Sequence, residues 1–377
     1  MQDLAGSDIR GRGPQMTGSR PRDISPAQLV MLLLLCRLFV LFTYTSRSEN
    51  NLSGPAVLAA VPLAAAGALL MLLPFFLLRR KAGSDMLTAF WRVGRPFGAA
   101  LTAACGLFCV YMAASTAGHF SFFLVSTVYQ NAKQWVSVLL FLLAAAYAAA
   151  LGLEAFSRAG GFFFAAAMAA GALLLFALLP EVDLANLASP FLDPGALAAG
   201  TLRGVAGNAD ILLFLLLFPR VRGGSGKTGF WWVALTAAVW WVLCFFVLTA
   251  LGDYAGTRLF PLQTAAAVAN LSVFGRMDLV HITVWIITAF LRAAAWLYCG
   301  CTCLRRLFPK VRMGAASALC ALAAGIAAAA AAPLWEAAGS AWESGVPLLL
   351  LAVAAPLVTL CFPRAKSPVE DGKEAAQ

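Results

Sequence analysis

Long apolar runs separated by short polar segments make up most of this chain. The runs are roughly 18 to 25 residues long, which is the length that a helix needs to cross a bilayer. About ten such spans are predicted, and we number them in chain order. They cover residues 26–44, 55–78, 96–128, 134–153, 160–179, 199–219, 230–251, 279–304, 315–332 and 346–362.

The predicted fold class is therefore an all-α polytopic membrane protein. A polar, glycine-rich tail covers residues 1–24, a membrane domain covers 25–362, and a second polar tail covers 363–377. Residues 82–95 are expected to form a short interfacial segment. The long loop between spans seven and eight is expected to be partly helical.

The composition agrees with this pattern. The chain is 62% hydrophobic and 12% charged, which excludes an ordinary soluble domain. The formal charge of +10 does not indicate nucleic-acid binding, because the basic loops follow spans two, six and eight. The loops after spans five and nine are acidic. The positive-inside rule then predicts a multi-pass protein of the cell membrane with both termini in the cytoplasm.

Ten spans divide into five plus five, and an odd number per half places the halves in opposite orientations. The sequence thus favours a transporter-like inverted repeat in which spans one and six are equivalent and both are broken. Span six contains three glycines followed by two polar residues. They are Gly200, Gly204, Gly207, Asn208 and Asp210. Irregular backbone inside a membrane is tolerated where it lines a cavity, so this break is the predicted ligand site.

Three charged residues lie near the middle of their spans. At 1.5 Å per residue, Arg37, Asp210 and Arg292 are roughly 16, 14 and 18 Å from the cytoplasmic boundary. Charges at that depth need a partner or a water-filled cavity, and we expect Arg37 and Asp210 to pair. Two arginines and one aspartate leave a positive charge that a ligand carboxylate could balance, helped by the positive N-terminus of the half-helix after Asp210. The alternative is an internal cluster that only fixes packing.

The cysteines, histidines and interfacial tryptophans are not predicted to form a functional site. The nine cysteines show no zinc-site spacing and are expected to be free thiols. His119 and His281 are expected near the outer ends of spans, as polar tips in the headgroup region. Trp231 and Trp232 are interpreted as interfacial anchors. We expect no enzyme activity, no metal and no cofactor.

Several segments resemble the endospore germination permease family. ISPAQLVMLLLLCRLF resembles the start of that family, and NADILLFLLLFPRV resembles its sixth span. Gly152, Glu154 and Arg158 match a Gly-x-Glu-x-x-x-Arg segment between spans four and five. Trp285 and Arg292 match a tryptophan and a basic residue of the eighth span.

The resemblance implies a B subunit of a spore nutrient receptor, within the amino acid–polyamine–organocation transporter superfamily. Such a subunit would bind a small nutrient, such as an amino acid, in the spore inner membrane. Its partners would be A-type and C-type receptor subunits and the lipid bilayer, and no nucleic acid. The alternative is a secondary amino-acid transporter that works by alternating access. One departure is that the superfamily usually has glycine where span one unwinds, whereas span one of this chain has no glycine and has Arg37 there.

The predicted substrate-binding residues share a position at the midplane on spans one, six or eight. They are Arg37, Gly204, Gly207, Asn208, Asp210 and Arg292.

Overall fold

The computed structural model describes residues 24–43, 54–83, 85–129, 133–188, 193–269, 277–331 and 342–362. Helices make up nearly all of these residues. The first eight are α1 (Pro26–Phe42), α2 (Gly54–Ala82), α3 (Met86–Val93), α4 (Arg95–Phe123), α5 (Gln134–Leu151), α6 (Leu153–Leu178), α7 (Pro194–Ala206) and α8 (Asp210–Leu217). The others are α9 (Gly226–Leu251), α10 (Tyr254–Thr257), α11 (Pro261–Val268), α12 (Asp278–Leu307), α13 (Met313–Ala330), α14 (Trp342–Leu349) and α15 (Ala355–Cys361).

The all-α polytopic membrane fold is confirmed. Among the described residues, eight helical segments are long and apolar enough to cross a membrane, and shorter apolar helices cover Pro26–Phe42 and Gly345–Cys361. These ten segments match the ten predicted spans in order. The loop between spans seven and eight is partly helical, as expected. The two predicted tails lie outside the described residues, apart from Ile24.

Span one does not contain the expected break. The helix α1 begins with a capping box, in which the Ser25 hydroxyl accepts from the Gln28 amide at 3.2 Å and Gln28 Oε1 accepts from the Ser25 amide at 2.9 Å. From Pro26 the helix then continues without interruption to Phe42. It contains no glycine, and its many leucines favour helix. Local propensity therefore decides the conformation of span one against the symmetry argument.

Span six is broken as predicted, with Gly207, Asn208 and Ala209 between α7 and α8. Gly207 has φ −77° and ψ 2°, a conformation that is open to most residues, so its backbone does not require glycine. Glycine is required earlier, at Gly204. A Cβ there would lie 2.7 Å from the Cβ of Ala64, so α7 crosses α2 in close contact.

The centre of the molecule is formed by α1, α8 and α12. Ile24, just before α1, is tied to the end of span six by hydrogen bonds from its amide to the Arg220 carbonyl and from the Arg222 amide to its own carbonyl, both 3.0 Å. On α12, the indole of Trp285 donates to the Thr43 hydroxyl at 3.0 Å and packs against Phe123. These contacts hold span one between spans six and eight.

Candidate functional site

The carboxylate of Asp210 is completely buried at the first residue of α8. Its Oδ1 accepts a direct, ion-paired hydrogen bond from Nη1 of Arg292 on α12. The same nitrogen donates to the carbonyl of Cys36 on α1 at 3.1 Å. Arg292 therefore joins spans one, six and eight at one point.

Arg37 contacts both the break in span six and Asp210. Its Nη1 donates to the carbonyl of Gly207 at 2.9 Å and lies 4.0 Å from Oδ2 of Asp210. Its guanidinium lies 4.7 Å from the ring centroid of Trp240, over its face. The break in span six frees backbone carbonyls, and Arg37 satisfies one of them. The predicted Arg37–Asp210 ion pair is thus present as a long contact, and the direct hydrogen bond to the carboxylate comes from Arg292.

The cluster of Arg37, Asp210 and Arg292 carries one more positive than negative charge. All three side chains are at most 3% exposed. Nε of Arg37 and Oδ2 of Asp210 have no hydrogen-bond partner among the described residues. A buried charge is stable when it is paired and its remaining polar atoms are satisfied. The cluster therefore has one unbalanced positive charge, one free donor and one free acceptor.

A small cavity adjoins this cluster between α1, α2, α7 and α9. Arg37, Gly204 and Asn208 line it, together with Trp232 and Thr236 of α9. Within the described part of the chain, Asn208 Oδ1, Trp232 Nε1 and Thr236 Oγ1 have no hydrogen-bond partner. The volume of about 20 Å³ corresponds to one water molecule. A larger ligand therefore requires the helices around the cavity to separate.

The structure brings the six predicted site residues together in two groups. Arg37, Gly204 and Asn208 line the cavity, and Gly207 contributes its carbonyl to Arg37. Asp210 and Arg292 do not line the cavity and form the adjoining ion pair. The six residues thus lie close to the break in span six. Their role in binding a ligand remains a prediction.

Sequence reasoning missed the contribution of α9. Trp232 was interpreted as an interfacial anchor, but it is 1% exposed and stacks on Phe214, with ring centroids 5.2 Å apart. Its neighbour Trp231 is 57% exposed, as an anchor should be. Trp232, Thr236 and Trp240 are spaced by four residues and share one helix face. A threonine centred between two tryptophans on one face was the signal that could have located this wall.

His281 also differs from its prediction. It is 3% exposed and lies inside the helix bundle, so it is not a polar tip in the headgroup region. His119 is half-buried, and its Nδ1 bonds the Ser115 carbonyl of its own helix at 2.8 Å. Among the described residues, no group of three or more His, Cys, Asp or Glu side chains could hold a metal ion.

The unpartnered polar atoms around the break are of the types that pair with charged groups. Arg37 Nε and Trp232 Nε1 are donors for a carboxylate. Asp210 Oδ2 and Asn208 Oδ1 are acceptors for an ammonium group. The Thr236 hydroxyl can serve either group.

Comparison with known proteins supports the fold. A search of solved structures finds a protein described as the substrate-bound outward-open state of a Na⁺-coupled sialic acid symporter. It is 12% identical in sequence and superposes with a TM-score of 0.62 over 90% of this chain and 80% of that chain. At that identity the similarity concerns the fold alone. No curated protein sequence matches this chain.

A match to a protein-family profile shows the family as well as the fold. The spore permease profile, described as spore germination protein, matches residues 23–333. That range includes the break in span six, the cavity wall on α9 and the whole of α12, and it confirms the resemblance found in the sequence. The chain therefore belongs to the spore germination permease family.

Proposed function

We propose that this permease-like germination protein binds an amino acid at the break in span six and signals its presence. The observation that carries the proposal is the set of unpartnered polar atoms around the break. They belong to Arg37, Asn208, Asp210, Trp232 and Thr236, and all are buried. Buried polar groups are normally satisfied, so this density of free donors and acceptors indicates a site for a polar ligand.

The charge of the site favours a ligand with a carboxylate. Two arginines surround a single aspartate, so a ligand carboxylate beside Arg37 would pair with the arginine that has no direct carboxylate partner. The ammonium group of an amino acid would then face Asp210 Oδ2 or Asn208 Oδ1.

Membership of a family described as spore germination proteins supports the proposed signalling role. In the proposed receptor, the chain is the B-type subunit and acts with A-type and C-type subunits in the spore inner membrane. Binding at the break would move α9 away from α1 and α7, because the closed cavity holds only about one water molecule. That movement is the proposed signal to the partner subunits.

The test measures amino-acid binding by the purified full chain in lipid nanodiscs. A mixture of radiolabelled amino acids is the first probe, followed by each amino acid alone. The informative variant is Thr236→Val, which removes one hydroxyl from the cavity wall at nearly constant volume. Loss of one hydrogen bond to a ligand should weaken binding about tenfold.

The matched control is Thr116→Val. Thr116 is equally buried in a spanning helix, but its hydroxyl already donates to the Met112 carbonyl of its own helix at 2.7 Å. We expect wild-type affinity in this control. Equal affinities in Thr236→Val and wild type, or no saturable binding of any amino acid, would contradict the proposal.

Transport by alternating access is the competing function. It is favoured by the discontinuous span six, which transporters use to bind substrates at the midplane. Reconstitution into liposomes separates the two functions. Accumulation of the amino acid that binds, with or without an ion gradient, would establish transport, whereas binding without uptake would support sensing.

A further inference from the structure

A second cavity lies between α1, α6, α9 and α12, separate from the break in span six. Its volume is about 310 Å³, at the lower end of the range for small-molecule sites. Aliphatic and small side chains form nearly all of its wall, and no Lys, Arg, Asp or Glu side chain lines it. Leu38 and Phe42 contribute from α1, Gly171 from α6, Val239 from α9, and His281 from α12.

His281 is the polar group of this cavity. Its side chain is 3% exposed, and neither ring nitrogen has a hydrogen-bond partner within the described residues. The ring meets Phe42 edge-on, with centroids 5.0 Å apart. A neutral imidazole has one donor and one acceptor, and a buried pair of this kind is rarely left unsatisfied. Among the described residues, both ring nitrogens of His281 therefore lack a hydrogen-bond partner at the cavity.

The cavity is open toward the outer surface of the bundle, where spanning helices meet lipid. Val242, in its wall on α9, is 36% exposed. On α6, no atom outside the helix lies within 4 Å of the position that a Cβ of Gly171 would occupy. A molecule that partitions into the bilayer can therefore reach His281 between α6 and α9.

We propose that this cavity binds a small, mainly apolar molecule with one hydroxyl group, such as an aromatic alcohol, which enters from the lipid and hydrogen-bonds to His281. A free amino acid does not fit, because the cavity offers nothing to balance its two charges. A lipid acyl chain fills apolar volume but leaves both nitrogens of His281 unsatisfied. The hydroxyl group supplies a partner for one of these nitrogens, and the apolar remainder matches the wall.

The position of the cavity gives it a consequence for the proposed amino-acid site. Leu38 follows Arg37 in the chain, and Val239 precedes Trp240, which stacks on Arg37. A molecule packed against Leu38 and Val239 would change amino-acid affinity at the break. This coupling depends on the proposed function, whereas binding beside His281 does not.

Photolabelling of the purified full chain in nanodiscs tests the binding. The probe is benzyl alcohol carrying a trifluoromethyl diazirine, and the matched probe lacks the hydroxyl group. Labelled peptides are identified by mass spectrometry. We expect saturable labelling of α6 and α9 by the hydroxyl probe, with unlabelled benzyl alcohol as an effective competitor and toluene as a weaker one.

Three variants make the test specific. His281→Leu should weaken competition by benzyl alcohol about tenfold, the value of one hydrogen bond, and leave toluene unchanged. Gly171→Leu should abolish the saturable labelling by filling the cavity. Gly161→Leu is the control, because Gly161 lies on the same helix, also has open space at its Cβ position and does not line the cavity.

Two results would overturn the proposal. Unsaturable labelling that is equal for both probes would mean that acyl chains occupy the cavity. Saturable labelling that His281→Leu leaves unchanged would mean that the site recognises no hydroxyl group. Neither readout uses amino-acid binding, so failure here is distinct from failure of the proposed function.

Discussion

At the scale of single residues, the charge balance around Asp210 determines the properties of the site. The wild-type cluster of Arg37, Asp210 and Arg292 has a net charge of one positive unit. Removing Asp210 leaves two positive charges, whereas removing Arg292 leaves one charge of each sign. Because a lone buried charge costs more than a paired one, the three members should not be equally sensitive to substitution.

We predict that Asp210→Leu is the most damaging single change in this cluster. Breaking a buried ion pair typically costs about 3–5 kcal/mol, and Asp210→Leu also leaves two like charges together. Arg292→Leu should be milder, since Asp210 then retains Arg37, whose Nη1 lies 4.0 Å from Oδ2. The double variant should be more stable than Asp210→Leu alone, because its net charge returns to that of the wild type.

The measurement is the thermal midpoint and membrane abundance of each variant. Arg158→Leu is the control for loss of an arginine, since Arg158 is 71% exposed and pairs with Glu154 at the start of α6. Exposed pairs contribute little, so this variant should resemble the wild type. Additive losses in the double variant would show that Asp210 and Arg292 do not stabilise each other.

The depth of the three charged residues in the membrane could be predicted from the sequence. The arginine that hydrogen-bonds directly to Asp210 could not. Counting residues from the span ends placed Arg37, Asp210 and Arg292 at the same level, and the structure brings all three together. Which arginine contacts the carboxylate depends on how each helix is rotated about its axis. That rotation is set by packing over the whole bundle, and a residue count does not contain it.

At the scale of elements, the break in span six depends on how closely α7 approaches α2. Gly204 faces Ala64 at this crossing. A Cβ added at Gly67 would lie 2.4 Å from Val205 Cγ2. Glycine at both positions lets the two backbones come together, as small residues do at helix contacts in membranes. The crossing also fixes Gly204 and Asn208 at the cavity beside Arg37.

We predict that Gly204→Ala destabilises the protein by about 1–3 kcal/mol, the usual effect of overpacking. The new Cβ would lie 2.7 Å from the Ala64 Cβ and force α7 and α2 apart. Adding Ala64→Gly to the same chain removes the clash, so the double variant should recover most of the loss. Thermal unfolding of the purified variants measures both effects.

Gly161→Ala is the control for the general effect of alanine in a helix, because its Cβ position is open. It should leave the thermal midpoint unchanged or raise it slightly. If Gly204→Ala behaves like this control, α7 and α2 do not cross as closely as the structure indicates.

The two candidate breaks show how far sequence reasoning extends to elements. The clustered glycines and polar residues of span six predicted its break at the correct position. In span one, symmetry with span six suggested a break, but a helix-favouring sequence without glycine keeps α1 continuous. Local composition was the better guide, since a helix breaks only where its own residues or contacts favour the break.

At the scale of the whole molecule, the distribution of charge predicts the orientation of the chain in the membrane. Arg79, Arg80 and Lys81 end α2, and Arg305 and Arg306 end α12. The positive-inside rule places these ends in the cytoplasm. The connection between α6 and α7, with Glu181, Asp183 and Asp193, is then outside, and the start of α9 is inside.

We predict that a membrane-impermeant thiol reagent added to intact cells labels Ala188→Cys and does not label Gly226→Cys. Ala188 is exposed between α6 and α7, and Gly226 is exposed at the first residue of α9, with open space at its Cβ position. Both substitutions are made in a Cys361→Ser background. Cys361 is the exposed native thiol, whereas the other eight cysteines are buried or half-buried.

Permeabilised cells supply the control, since Gly226→Cys should become reactive once the reagent reaches the cytoplasm. An even number of spans then places both ends of the membrane domain on the same side as Gly226. Labelling of Gly226→Cys but not Ala188→Cys in intact cells would invert the orientation. Labelling of both would mean that span six does not cross the membrane, and the ligand site at its break would lose its position at the midplane.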